Sequence, residues 1–245
     1  GMLTWLRAWD QLAAQRVDHF VANSYATARR ISKYYGRASR VIYPPVEWGK
    51  FSVEQEQGDY YLMVGRFRPH KKFDLAIRAF NKLGLPLVIL GSGEEAKNLR
   101  RIAGPNVTFV PDVTDEQTKA RLFARAQALI HPQEEEFGIA AVESMAAGRP
   151  VVAYARGGAL ETVVPGATGV LFGEQSVDGL IDAVRAFEPR DYDPVRIREH
   201  ARRFDVGRFQ REIWQLLLEV RRERAQLPLP TLRAVRPEQV TVALP

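Results

Sequence analysis

Between about residue 60 and residue 185 the chain repeats one pattern. A short apolar run is followed by a loop rich in glycine or charge, and then by roughly ten residues with helical spacing. The apolar runs fall at residues 60–64, 86–90, 107–110, 128–130, 151–154 and 169–172. The helical stretches fall at residues 74–83, 94–103, 115–126, 138–147 and 177–187, with a short helix after Gly157-Gly158. Strands that are apolar on both faces must be covered on both faces. Alternating them with helices predicts an α/β fold, a doubly wound parallel sheet of Rossmann-like type. Ligands of such sheets bind beyond the carboxyl ends of the strands, which directs attention to the loops after Val64, Leu90, Val110, Ile130 and Tyr154.

Composition narrows the classes. The 245 residues contain no cysteine, so disulfides and thiolate metal sites are excluded. The four histidines never sit at i, i+4 on one helix, which argues against a zinc enzyme; no metal is expected. The longest apolar runs are too short to cross a bilayer and no sustained apolar leader opens the chain, so a cytoplasmic location is expected. Net charge is +6. Arg29-Arg30, Arg202-Arg203 and the arginines of residues 221–224 read first as solvated helix faces. Peripheral contact with the inner membrane surface is the second reading, and nucleic acid is not an expected partner.

The two ends depart from the repeat. Residues 3–35 read as two helices around a short strand at 19–22, with Asn23-Ser24 as a helix cap. Tyr43-Pro44-Pro45-Val46 breaks the pattern as an interdomain linker would. Residues 208–224 form an amphipathic helix with Phe209, Ile213, Trp214, Leu217 and Leu218 on one stripe. The expected division is 1–46 for a domain remnant and hinge, 47–190 for the ligand-binding α/β domain, 191–224 for C-terminal helices, and 225–245 for an extended tail.

Two groups of residues carry chemistry. Glu143 lies in a helix whose other residues are nearly all small or apolar. A carboxylate there costs about 2–7 kcal/mol unless something pairs with it, so stability alone would not select it. Glu135 lies just before that helix, and Phe137, Gly138 and Ile139 supply free N–H groups at its start, a natural anion or hydroxyl site. The competing account has Glu134, Glu135 and Glu136 merely complementing the helix dipole. In the loop after the first strand of the repeat, Gly65-Arg66 is followed by Lys71. A guanidinium fork and a mobile ammonium on one loop suit a diphosphate. Gly157-Gly158 is either a loop for close phosphate approach or a plain tight turn. Gly91-Ser92-Gly93 matches a loose dinucleotide fingerprint, with Asp112 near the acidic position. His70 and His131 sit at the ligand edge and read as polar loop residues before catalysts.

Together Gly65-Arg66 with Lys71, Glu135 and Glu143 around Phe137-Gly138, residues 146–152, and Gly157-Gly158 through Thr168-Gly169 resemble the group 1 family of retaining glycosyltransferases with the GT-B fold. The resemblance covers residues 17 to about 187, and its wording around residues 68–75 and 134–139 is nearest the mannosyltransferase-like members. It implies that Arg66 and Lys71 bind the donor diphosphate and that Glu135 contacts the transferred sugar. Glu143 would hold the ribose hydroxyls, Phe137 to Ile139 would touch sugar and phosphate, and the base would lie near Val113 and Asp115. Lys72 and Pro111 stand where many members have glycine, the second bearing on base identity. The implied donor is a nucleotide diphosphate sugar, GDP-mannose by resemblance or a UDP-sugar, with a glycan or lipid-linked acceptor and no cofactor. Only the last strand and helices of the acceptor domain are expected before residue 46. A partner chain or homodimer would complete the cleft, and the chain alone would be inactive. A non-catalytic nucleotide-sugar module is the alternative, and an NAD-type oxidoreductase domain the third reading.

Overall fold

A computed structural model describes residues 1–111 and 115–226. The N-terminal segment comprises α1 (Met2–Ala14), β1 (Phe20–Ala22), α2 (Tyr25–Tyr35) and β2 (Ser39–Val41). Strands β1 and β2 pair in parallel as a small sheet of their own. Ser24 caps α2 by accepting from the Thr27 N–H, as its side chain suggested. The β2 strand was not expected: Ser39-Arg40-Val41 is too short and polar to stand out before its partner is known.

The main body follows the predicted repeat: β3 (Tyr61–Val64), α3 (Phe73–Leu83), β4 (Leu87–Leu90), α4 (Ala96–Ile102), β5 (Val107–Val110), α5 (Glu116–Arg125), β6 (Leu129–His131), α6 (Ile139–Ala146), β7 (Val151–Tyr154), α7 (Ala159–Thr162), β8 (Gly169–Phe172) and α8 (Val177–Arg185). After it come α9 (Pro194–Ala201) and α10 (Val206–Gln226). Of the tail expected at 225–245, residues 225 and 226 instead continue α10, and the rest lies outside the described residues.

All six strands of the main sheet are parallel, in the order β5-β4-β3-β6-β7-β8. The side chains divide by strand periodicity into two cores. Leu62, Leu129, Val151 and Ala153 face α5, α6 and α9. Tyr61, Met63, Ile130 and Val152 face α3, α4 and α8. Covering both faces is what the unbroken apolar runs require.

The N-terminal segment is tied to this body by directed bonds. Glu161 of α7 accepts from the N–H groups of Tyr25 and Ala26, each at 2.8 Å, and so caps α2 from another element. The Tyr43 hydroxyl donates to the same carboxylate at 3.2 Å. Within the proline-rich stretch, the Val46 N–H donates to the Phe204 carbonyl at 2.9 Å. Helix α10 runs back to the small sheet, where its Glu219 pairs with Arg40 and its Glu223 lies 3.5 Å from His19.

Candidate functional site

The strand order creates the site. The chain builds outward from β3 through β4 to β5, then returns to place β6 on the other side of β3. The loops after β3 and β6 therefore leave the sheet in opposite directions and open a crevice between them. A cleft of about 740 Å³ lies there. The β3 loop contributes Gly65, His70 and Lys71; the β6 loop contributes Glu134 through Gly138. Helix α6 adds Ile139, Ala140 and Glu143, α5 adds Lys119, and the N-terminal segment adds Asn23 and Pro44.

Two cation–carboxylate pairs occupy this cleft. Lys71 donates from Nζ to Glu135 Oε1, and Gln133 Nε2 donates to the same oxygen at 3.0 Å. On the other wall Lys119 Nζ donates to Glu143 Oε1 at 2.7 Å. The two carboxyls are driven apart. Burial alone would raise Glu135, but positive charge at His131 and the bonds from Lys71 and Gln133 outweigh it and hold Glu135 below the ordinary carboxylate range. Burial pushes His131 down, with Glu135 opposing the shift and Lys71 adding to it. Burial pushes Glu143 up; Lys119 opposes the rise, and Glu116 and Glu47 add to it.

Close backbone packing holds the β6 loop in place. The Gly158 N–H donates to the Glu135 carbonyl at 2.8 Å. Gly157 has φ of 60°, and a Cβ there would come within 2.1 Å of that same carbonyl oxygen. Of the two accounts of Gly157-Gly158, the structure supplies the tight turn and gives it a purpose: a side chain would displace Glu135. The fingerprint at Gly91-Ser92-Gly93 has a similar explanation. A Cβ on Gly91 would meet the Gly65 carbonyl oxygen at 2.0 Å, and the Phe67 N–H donates to the Ser92 carbonyl at 2.8 Å. These glycines let one loop lie on the other, and the cleft lining does not include them.

Of the residues singled out from sequence, Gly65, Lys71, Glu135, Phe137, Gly138, Ile139 and Glu143 share the cleft lining. Arg66 does not. Its side chain is exposed beside Gly65, and its guanidinium makes no polar contact among the described residues. Asp115 caps α5, accepting from the N–H groups of Gln117 and Thr118, and is also absent from the lining. Val113 and Asp112 lie outside the described residues. His70 lines the cleft, whereas His131 is buried beneath Gly138, where a Cβ would meet its Nε2 at 3.1 Å. The outer glutamates of the acidic run are engaged differently from Glu135: Arg30 of α2 pairs with Glu136 at 2.7 Å and with Glu134 at 3.5 Å. Sequence reasoning missed Lys119 and Gln133. For Lys119 one clue existed, because an ionised Glu143 in an apolar helix demands a cation, but nothing local on α5 marked which residue supplies it.

A parallel sheet with a cleft at its topological switch point places the chain in the class of open α/β proteins that bind ligands beyond the carboxyl ends of their strands. The family described as "Glycosyl transferases group 1" matches residues 47–204, and the chain belongs to that family. It is 28% identical over 261 residues to a D-inositol 3-phosphate glycosyltransferase of a Nocardioides species, spanning 89% of this chain and 56% of that protein. It is 29% identical over 154 residues to the O-antigen chain mannosyltransferase RfbU of Salmonella typhimurium, spanning 58% of this chain and 43% of the other. Among solved structures, Anabaena Alr3699/HepE in complex with UDP and glucose superimposes with a TM-score of 0.76 at 23% identity, covering 88% of this chain and 67% of that one. The chain thus spans about half the length of the curated relatives it matches.

Proposed function

We propose that this chain is the donor-binding half of a retaining glycosyltransferase that moves a hexose from a nucleotide diphosphate sugar to a glycan or lipid-linked acceptor. The observation that carries the reading is the convergence of Lys71–Glu135 and Lys119–Glu143 on one cleft at the β3/β6 switch point. The chemistry follows from those pairs. Cleaving a sugar–phosphate bond places positive character on the sugar ring and negative charge on the departing diphosphate. Fixed cations in a cleft stabilise that anion as it develops. Lys71, exchanging its bond to Glu135 for one to the diphosphate, fills this role, and Arg66 would have to swing in from outside the cleft lining to join it. Glu135, released from Lys71, accepts from hydroxyls of the transferred sugar. Glu143 accepts from the ribose hydroxyls, with Lys119 opposing the rise that burial imposes on it. Configuration is retained by attack on the face the diphosphate leaves, the departing phosphate taking the acceptor proton.

The donor proposed is GDP-mannose, in line with the Salmonella relative; the UDP held by the Anabaena protein favours a UDP-sugar as second choice. Transfer is proposed to need an acceptor-binding half on the open side of the cleft, and residues 1–245 by themselves are expected to show negligible turnover. Thermal denaturation with GDP, UDP, ADP and NAD tests the assignment. A nucleoside diphosphate at 100 times its Kd stabilises the fold by about 2.7 kcal/mol. GDP or UDP should raise the midpoint most; preference for NAD would overturn the reading.

A further inference from the structure

We propose a second anion site, separate from the cleft, for a small molecule bearing two or more phosphate charges. A cavity of about 420 Å³ opens on the other side of the Pro69–Lys71 turn, between the start of α3 and helix α4. No residue lines both spaces: Lys71 and His70 serve the cleft, and Arg68 and Lys72 serve this cavity. Its ionisable lining is Arg68, Lys72, Arg78 and Arg101 against Asp74 and Glu95. Four cations thus face two carboxylates. Arg68 is already paired with Glu94 at 2.9 Å. The charged ends of Lys72, Arg78 and Arg101 make no hydrogen bond or ion pair among the described residues, so three cations line one space with only Asp74 and Glu95 to offset them.

The backbone adds a second observation. Lys72 has φ of 60° and is the one non-glycine residue with positive φ among the described residues. Such a conformation costs about 1–3 kcal/mol and persists only where the surroundings impose it. Here it starts α3 with no side-chain cap on the first N–H groups and puts Lys72 in the cavity wall. Arginine forks, an ammonium and uncapped helix N–H groups all recognise phosphate oxygens. The volume is within the range of about 300–1,000 Å³ that small-molecule sites occupy.

Inorganic pyrophosphate is the probe, titrated calorimetrically at low ionic strength into the full chain carrying Lys71→Ala, which removes the cleft cation proposed to hold the diphosphate. Adding Arg78→Ala and Arg101→Ala should weaken the remaining binding at least tenfold. Both arginines are exposed, and an unchanged circular dichroism spectrum and melting midpoint would show the fold intact. Equal pyrophosphate affinity with and without the two arginines would reduce the cavity to an adventitious ion site and overturn the proposal. So would the absence of pyrophosphate binding together with arginine-dependent sedimentation on phosphatidylglycerol vesicles, which would assign the arginines to a lipid surface. Because the arginine effect is read without Lys71 and at residues outside the cleft lining, it stands or falls independently of the glycosyltransferase reading.

Discussion

The ammonium of Lys119 stands 2.7 Å from the carboxylate of Glu143 and joins α5 to α6 across the wall of the cleft. Both side chains are mostly withdrawn from water, at 23% and 15% exposure, so neither charge is well solvated without the other. Lys119→Met should therefore cost about 2 kcal/mol, less than a fully buried pair because some solvent reaches both groups. Adding Glu143→Gln should recover part of that loss. Urea unfolding of the two single variants and the double variant measures the coupling; strict additivity would show that the pair contributes nothing.

The two cleft glutamates should pull stability in opposite directions with pH. Glu135 titrates below its usual value of 4.5 in the folded chain, so its contribution is present above that pH and is lost as pH falls through the lowered value. Glu143 titrates above 4.5, so its contribution is complete below that pH and declines as pH rises through the raised value. Stability differences between wild type and Glu135→Gln, and between wild type and Glu143→Gln, followed across the acid range should have slopes of opposite sign. Parallel slopes would show that the two environments do not differ.

Gly157→Ala should deform the β6 loop. The new Cβ would press on the Glu135 carbonyl from a backbone conformation that alanine disfavours, at a cost of about 1–3 kcal/mol. Gly173 has open space around it, and Gly173→Ala should stay within about 0.5 kcal/mol of wild type. Comparing the melting midpoints tests this directly. Equal effects would mean that the Gly157 contact does not position the loop.

The main sheet was legible because each of its strands is apolar on both faces and each is followed by a helix of ordinary length. That repeat forces a parallel order and a ligand edge before any coordinates are known. The small β1–β2 sheet was not legible, since Ser39-Arg40-Val41 acquires meaning only beside Phe20-Val21-Ala22. Within the site, Glu143 was conspicuous because a carboxylate in an apolar helix requires an explanation. Its partner Lys119 was not, because α5 is otherwise a polar surface helix on which one lysine looks like any other. Glycine spacing was ambiguous for a related reason. A loop that meets a phosphate and a loop that meets another loop both need the missing Cβ, and at Gly91 and Gly157 the neighbour is backbone.

Lys71 is the residue on which the account turns. Isothermal titration of GDP and UDP into wild type and Lys71→Ala should show at least tenfold weaker binding of the preferred nucleotide in the variant, a loss of about 1.4 kcal/mol or more. Unchanged affinity, with the variant still folded, would mean that the diphosphate does not bind in the cleft between β3 and β6.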